Sequence, residues 1–528
     1  ETAAGLLALP ARATVCPLGG ATTEARSVEL LARIRPKAIL VDGHSAPAWE
    51  AAAHRLGIAA IEVLSESHGV AGAFELRMKR GAPSLDGARR VPASTAYLMT
   101  TSGTLGRSKL VPLTHAHVVW TSQATGTCLA VGPGDRAGHL TPLYLANGTR
   151  TALLVPVLAG GAVNCLAEAD VPSLLDEMLA GRVTFTSASF TMMRELLQLG
   201  RRDGVPRPGK LRFLRFASGA MEADDIEGLE RVFGVPVVAG LASTETGVIT
   251  HQRLPPAPRV AGSLGPPLGC DIRLVDASGD AVAPGEVGEV LVAGPQVFDG
   301  YLDDPVLDAA AFVGRWFRLG DLGRFDERGE LRVVGRVKEL INRGGEKISP
   351  LDVDAALAAL PGVAEAAAFA IPHASLGEEV VAAVVLREGA EPDAAGMLDA
   401  VRTTLGARRT PRRLWFVAGL PRTDGGKLRR SALPDWVGYR AAADADAAAL
   451  EGSPLERALA PLWSAVLACD RVARDLAFYA QGGDDERAAH LVAQVEAVFG
   501  VAMPPDALRE EAATLAAMAQ LIERGRGA

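Results

Sequence analysis

The sequence predicts an α/β protein built in sequential parts. A large N-terminal domain of parallel sheets carries a small β region at its end; a small α+β C-terminal subdomain and then a helical bundle follow. Three observations predict this. Up to about Leu241, short apolar runs alternate with helical patterns, as in a mostly parallel sheet covered by helices. From about Gly265 the texture changes to short strand-like runs (DIRLVDASGD, GEVLVAGP, WFRLGDLGRFDERGELRVVG) punctuated by turn signals such as Ser278-Gly279 and Arg328-Gly329. An Ala/Asp-rich stretch, 439–452, then reads as a linker before a segment with its own helix-start signals. The expected divisions are therefore 1–335, 336–438, 439–452 and 453–528.

In order along the chain, Glu24–Arg35 is a helical pattern, and Ala38–Val41 and Ala60–Val63 are short apolar strands. Ala96–Met99 is a buried strand that breaks into hydroxyls and glycines: Thr100, Thr101, Ser102, Gly103, Thr104 and Gly106, closed by Lys109. Glycines let backbone N–H groups approach phosphate oxygens, hydroxyls add donors, and the lysine adds a point charge. The spacing is not that of a Walker loop. A helix is expected from about Thr114, then an apolar helix into Gly160-Gly161, a strand at Val163–Leu166, and a helix over Ser187–Gly200. Leu211–Phe216 is a strand ending in Ala-Ser-Gly-Ala, and Val235–Leu241 is a strand ending in Ala242-Ser243-Thr244-Glu245. Ligands of open parallel sheets bind at such carboxyl ends.

Arg343–Pro350 opens the α+β subdomain. In the last part, Ser453-Pro454-Leu455-Glu456 spells a capping box, with Leu459, Leu462, Trp463 and Val466 on one face. A second helix is expected from about Asp485 to Gly500, with Asp485 suited to its N-cap, and a third over about Thr514–Arg524.

The 528 residues are 48% hydrophobic and 22% charged, enough for several cores. The net charge of −8 lacks the basic footprint of a nucleic-acid binder. No apolar run reaches the ~20 residues of a bilayer span, and no leader pattern opens the chain. Five scattered cysteines (Cys16, Cys128, Cys165, Cys270, Cys469) have neither metal spacing nor a disulfide framework, and read as thiols of a reducing cytoplasm.

By Glu245 the sequence resembles the adenylate-forming superfamily of acyl-CoA synthetases, aryl-acid ligases and nonribosomal peptide synthetase adenylation domains. Six motifs carry the resemblance in order: TTSGTLGRSK (100–109), STET (243–246), GPQVFDGYLDDP (294–305), RLGDLG (318–323), GRVKELINRGGEKISP (335–350) and PRTDGGKLRR (421–430). It implies ATP and Mg²⁺ as cofactors, a carboxylic acid substrate and an acyl-adenylate intermediate passed to a pantetheine thiol. Thr101, Ser102, Gly103, Thr104, Gly106 and Lys109 would hold phosphates, Asp321 and Arg336 the ribose or phosphates, and Glu245 the Mg²⁺. Lys427 would bridge carboxylate and α-phosphate, with Thr244 beside Glu245 in the catalytic set. Lys338 matches the hinge between the large adenylation subdomain (1–335) and the small mobile one (336–438). Against the family pattern, Glu1 is not a methionine, and an N-terminal part of the large domain is expected to be missing.

Some positions depart from the pattern. Leu105 removes a hydroxyl, Ser108 and Leu110 replace the usual Pro and Gly, and Leu241 stands where an adenine-stacking tyrosine is usual. Asn147 stands where amino-acid-activating domains place an aspartate; with Gly219 it would line the acid pocket of an acid lacking an α-ammonium. The bundle 453–528 resembles a peptidyl carrier domain, but Asp485 replaces the phosphopantetheine serine and no serine follows Ser464. No phosphopantetheine is therefore expected on this chain, and the thiol would belong to CoA or a carrier on another protein. A biosynthetic setting follows by resemblance, with other enzymes as partners through the bundle and neither nucleic acid nor membrane. Two readings stand beside this one: a degenerate scaffold acting through docking, and an adenylate-dependent amide ligase.

Overall fold

The computed structural model describes the chain except residues 20–22, 44–46, 66–72, 82–87, 102–108, 167–169, 203, 218–220, 222, 261, 374–375, 388, 424–425, 440–452, 468, 470–471, 505, 511 and 527–528. Its contacts divide it into two units, 1–333 with 424–427, and 334–423 with 428–528.

The first unit opens with a helix over Glu24–Ile34. Thr23 caps it by accepting from the Arg26 N–H at 3.3 Å, and Arg35 ends it in the left-handed region. A three-stranded sheet follows: β1 (Ala38–Val41) parallel to β2 (Ala59–Ser65), and β2 antiparallel to β3 (Phe74–Arg80). The strand over Phe74–Arg80 has no counterpart in the sequence reading: all but its first residue are exposed, so no apolar run marks it.

β4 (Thr95–Thr101) and β5 (Lys109–Thr114) form an antiparallel pair; the expected phosphate-binding residues 102–108 between them lie outside the described residues. Thr101 faces Lys109 at the end of the pair. Leu110 is a buried strand residue packed with Ile34 and Leu98, not a substitute for a flexible loop glycine. Thr114 starts the helix His115–Cys128 with a capping box: its hydroxyl accepts from the His117 N–H and its own N–H donates to His117 Nδ1, both at 3.2 Å.

The main sheet uses β6 (Arg136–His139), β7 (Ala162–Cys165), β8 (Phe185–Ser189), β9 (Phe213–Ala217), β10 (Val237–Ser243) and β11 (Gly247–His251). Their spatial order is β11-β10-β9-β8-β6-β7. All neighbours are parallel except the β10–β11 pair. β8 extends through Ser189, so the helix expected from Ser187 begins at Phe190 and runs to Arg202. Three buried small residues, Ser187 to Ser189, satisfy the sheet ladder better than a helix start would.

Between β6 and β7 a π-helical turn, Gly148–Leu154, carries seven buried residues. Only glycine fits at its head, since a Cβ on Gly148 would lie 2.1 Å from the Pro142 carbonyl oxygen. The β region is one sheet of β12 (Asp271–Val275), β13 (Gly288–Ala293), β14 (Phe312–Val313) and β15 (Trp316–Phe325), in the order β12-β13-β15-β14. β16 (Leu331–Arg336) pairs with β15 and carries the chain onward.

The second unit holds a small sheet in the order β18 (Glu346–Ile348), β17 (Ile341–Arg343), β20 (Gly377–Leu386), β19 (Val363–His373), with β21 (Leu414–Phe416) parallel to β20. The bundle belongs to the same unit. Its first helix, Pro454–Leu467, starts with the expected capping box: Ser453 N–H donates to Glu456 Oε2 at 2.9 Å, and Glu456 N–H to Ser453 Oγ at 3.2 Å. Trp463 and Phe478 meet edge-to-face at 5.3 Å in a core with Leu491, Val495, Met518 and Ile522.

The helix Asp485–Phe499 is capped by Asp484, whose side chain accepts from the Arg487 N–H at 2.8 Å, and ends at Gly500. Asp485 is thus the first helical residue, not the cap. The bundle also packs on the small sheet. Gly482 lies so close that a Cβ there would meet the Arg412 carbonyl oxygen at 2.3 Å. Glu379, 1% exposed, is paired by Arg343 from the sheet and by Arg487 (3.5 Å) from the bundle.

Among the described residues no helix is long and apolar enough to cross a membrane, and all five cysteines are free thiols.

Candidate active site

In the first unit, functional groups gather at the carboxyl end of β10. The strand stops at Ser243, and Thr244 and Glu245 lie in the turn leading into β11. Ser243 Oγ closes this turn by accepting from the Thr246 N–H at 3.1 Å. Arg150, 5% exposed, donates to the carbonyls of Ser243 (2.7 Å) and Thr244 (3.0 Å). Burial lowers its pKa to about 10 while Glu245 pulls it up, so it remains a cation at neutral pH. A buried positive charge therefore stands behind a turn that displays a carboxylate.

Tyr301 joins that carboxylate to the β4–β5 pair. Its hydroxyl donates to Glu245 Oε1 at 2.9 Å and accepts from Lys109 Nζ at 3.1 Å. Lys109 also lies 4.6 Å from the centroid of the tyrosine ring. Burial first, and Glu245 second, hold the phenol well above its ordinary pKa, so it stays protonated. Thr101 Oγ1, at the end of the β4–β5 pair, is buried and has no hydrogen-bond partner among the described residues.

A second group surrounds Asn147. This residue precedes the π-helical turn, but its side chain does not cap it; Oδ1 accepts from Arg215 at 3.2 Å. Arg215 also donates to Ser187 Oγ at 2.7 Å and, through Nε, to His251 Nε2 at 2.9 Å. His251 Nδ1 in turn lies 2.6 Å from the Gln252 carbonyl, which fixes the proton on Nδ1.

Burial, then Arg215, depress the His251 pKa from 6.5 to about 3. The sign follows directly. Below its ordinary value the unfolded imidazole takes a proton that the folded one refuses, so the contribution is complete above about pH 6.5. It is lost at about 1.4 kcal/mol per pH unit as the pH falls toward 3. Urea midpoints between pH 7 and 5 should therefore fall less steeply for His251→Gln than for the unsubstituted protein. Equal slopes would contradict this.

The remaining expected residues are placed as follows. Asp321 is buried (4% exposed) in β15. Arg336 ends β16, and Lys338 lies in the short turn Val337–Glu339; both are exposed and belong to the second unit. Lys427 is exposed, just before the point where Arg422 and Leu428 pair. Ser102, Gly103, Thr104, Gly106 and Gly219 lie outside the described residues. The structure thus joins Lys109 to Glu245 and Asn147 to Arg215.

Sequence reasoning missed Tyr301, Arg150, Arg215 and His251. Tyr301 was inside the GPQVFDGYLDDP motif, and an arginine in the middle of the otherwise apolar end of the LRFLRF run was the available signal for Arg215.

Mg²⁺ fits this donor set. Glu245 offers hard carboxylate oxygen, and no cluster of three or more His, Cys, Asp or Glu exists among the described residues. A magnesium ion here would take its other ligands from phosphate and water.

Comparison with known proteins identifies the family. The AMP-binding enzyme family matches residues 2–302, its C-terminal domain matches 352–427, and the phosphopantetheine attachment site family matches 457–522. The chain belongs to the AMP-binding enzyme family. It is 34% identical over 433 residues to the probable CoA ligase CCL9 of Humulus lupulus, covering 80% of this chain and 82% of that one. It is 33% identical to the oxalate–CoA ligase of Arabidopsis thaliana, over 80% of this chain and 84% of the relative. The crystal structure of ATP-bound MatB from Rhodopseudomonas palustris superimposes with a TM-score of 0.72 at 29% identity, covering 82% of this chain and 86% of that one. This member of the family is an adenylate-forming acid–thiol ligase. It activates a carboxylic acid with ATP and transfers the acyl group to a pantetheine thiol.

Proposed function

We propose that this ligase delivers its acyl group to a thiol outside its own chain, CoA or the arm of a separate carrier protein. The observation that carries the reading is residue 485. Asp485 occupies the place of the arm-bearing serine, and no serine follows Ser464. A carboxylate cannot form the phosphodiester that attaches the arm.

The side chain is also engaged. It accepts from Tyr479 OH at 2.9 Å and from Arg509, whose guanidinium stacks 4.8 Å from the Tyr479 ring centroid. Those partners hold its pKa below the usual carboxylate range. The packing of Gly482 against Arg412 adds to the argument, because a working carrier needs that end open to partner enzymes. The bundle reads as a fixed companion of the small subdomain.

In the first step a carboxylate oxygen attacks the α-phosphorus, the bond to the β-phosphate oxygen breaks, and pyrophosphate leaves. Thr101, Ser102, Gly103, Thr104, Gly106 and Lys109 would hold the departing phosphates. Glu245 would hold Mg²⁺, with Thr244 beside it, and Asp321 and Arg336 would hold the ribose. Lys427 would offset the charge shared by carboxylate and α-phosphate. In the second step a thiolate attacks the acyl carbon and AMP leaves, with Lys338 at the hinge between the two steps. Asn147, a neutral amide, offers no ion pair to an α-ammonium, which favours a carboxylic acid without one; the relative named for oxalate is named for such an acid. Gly219 would complete that pocket.

Acid-dependent ATP–pyrophosphate exchange across amino, aryl and short acyl acids tests the first step, and thioester formation with CoA against separate carriers tests the second. Incubation with a phosphopantetheinyl transferase and CoA should leave the mass unchanged. A pantetheine mass increase would overturn the armless reading.

A further inference from the structure

Arg215 is a buried cation that packing alone does not explain. It is fully buried in the middle of β9, opposite Ser187 on β8 and Val238 on β10. Its Nε and one terminal nitrogen donate to His251, Ser187 and Asn147, all neutral acceptors. The other terminal nitrogen is buried and has no partner among the described residues. Among the described residues no carboxylate offsets the charge there; the group that raises its pKa is the Cys128 thiol. Burial lowers its pKa to about 10, which leaves it cationic at neutral pH.

A buried guanidinium satisfied only by neutral groups costs far more than its hydrogen bonds return. The free edge nevertheless stands in a fixed frame. His251 is held in one tautomer by Gln252, and Ser187 is held by the sheet. Asn147 extends the frame. Arginine has no acceptor, so Oδ1 must face it, and the amide keeps only N–H donors for another ligand. A cation edge beside amide donors is chemistry for an anion, and a planar guanidinium edge matches a carboxylate best.

We propose that the free edge of Arg215 takes a second anionic group of the acid substrate, so that the enzyme activates acids with two anionic groups in preference to monocarboxylic acids. The assignment rests on the reading of Asn147 as an acid-pocket residue. It makes Arg215 a specificity-determining residue that leaves the adenylation chemistry to others.

The test is exchange with malonate, succinate and sulfoacetate, each beside its monomethyl ester or amide, for the unsubstituted protein, Arg215→Met and Arg215→Gln. ATP binding by calorimetry checks that each variant is folded. At least one diacid should exceed its own monoester by about a hundredfold or more in kcat/KM. Arg215→Met should bring that ratio to within about tenfold of unity, and Arg215→Gln, which keeps donors without charge, should do nearly the same. A monoester that serves as well as its diacid, or a ratio that survives both substitutions, would overturn the proposal and leave the ligase reading intact. If no acid of either kind supports exchange, the ligase reading is what fails. Calorimetry of each diacid with a non-hydrolysable ATP analogue then decides this one. Diacid binding that Arg215→Met abolishes sustains it, and no diacid binding to the unsubstituted protein ends it.

Discussion

Replacing Glu245 by glutamine should slow acid-dependent ATP–pyrophosphate exchange by about a hundredfold or more. The substitution keeps the volume and one acceptor oxygen, so Tyr301 can still donate and the turn after β10 can still close through Ser243 and Thr246. Arg150 holds the backbone carbonyls of Ser243 and Thr244, not the 245 side chain, so the turn keeps its support. Only the negative charge is lost. Without it the Arg150 cation behind the turn and the Lys109 ammonium beyond Tyr301 lose the Glu245 charge, and a divalent cation meets a more positive potential. The loss should therefore appear as a raised Mg²⁺ requirement, partly relieved by excess Mg²⁺, with circular dichroism unchanged. Exchange that is unaffected across a magnesium titration would remove Glu245 from the site.

The fold was legible where burial writes a period into the sequence. The strand Val237–Ser243 opens as a continuous apolar run because both its faces are covered, and the capping boxes at Thr114 and Ser453 put their signals within four residues. Phe74–Arg80 was not legible, because an exposed edge strand needs no apolar side chains. Leu110 was misjudged for a related reason. Beside a loop motif it looked like a lost glycine, whereas it is the second residue of a strand whose inward face is core. Leu241 likewise packs beside the core that includes Tyr97 and Phe298, so an apolar residue is suited to the place whatever it does for adenine.

The site was legible only in its motif residues. Lys109 and Glu245 are far apart in sequence, and the phenol that joins them comes from a third segment, so no spacing rule relates the three. Arg150 and Arg215 were hidden for the opposite reason. Each is a charge among apolar neighbours, and its meaning depends on which backbone carbonyls or neutral side chains surround it after folding.

Lys427→Ala should lower kcat for exchange by about a hundredfold or more while KM for ATP changes by no more than about threefold. The reason lies in how the lysine is presented. Gly426 and Lys427 group with the first unit. Gly426 sits at φ +79 and its carbonyl accepts from Thr191 Oγ1 at 3.2 Å, at the start of the helix that follows β8. A Cβ on Gly426 would come within 2.8 Å of Ser189 Oγ, so glycine is what allows the approach. None of these contacts uses the exposed Lys427 side chain. Truncating it removes the cation and leaves the Gly426 backbone contact with Thr191 in place. Charge accumulates between carboxylate and α-phosphate as the new bond forms, so a cation aimed there lowers the barrier more than it tightens ground-state binding. Gly426→Val supplies the contrast, because it keeps the lysine and displaces the loop. It should cost exchange as well, and a lysine that merely decorates the surface would be indifferent to both substitutions.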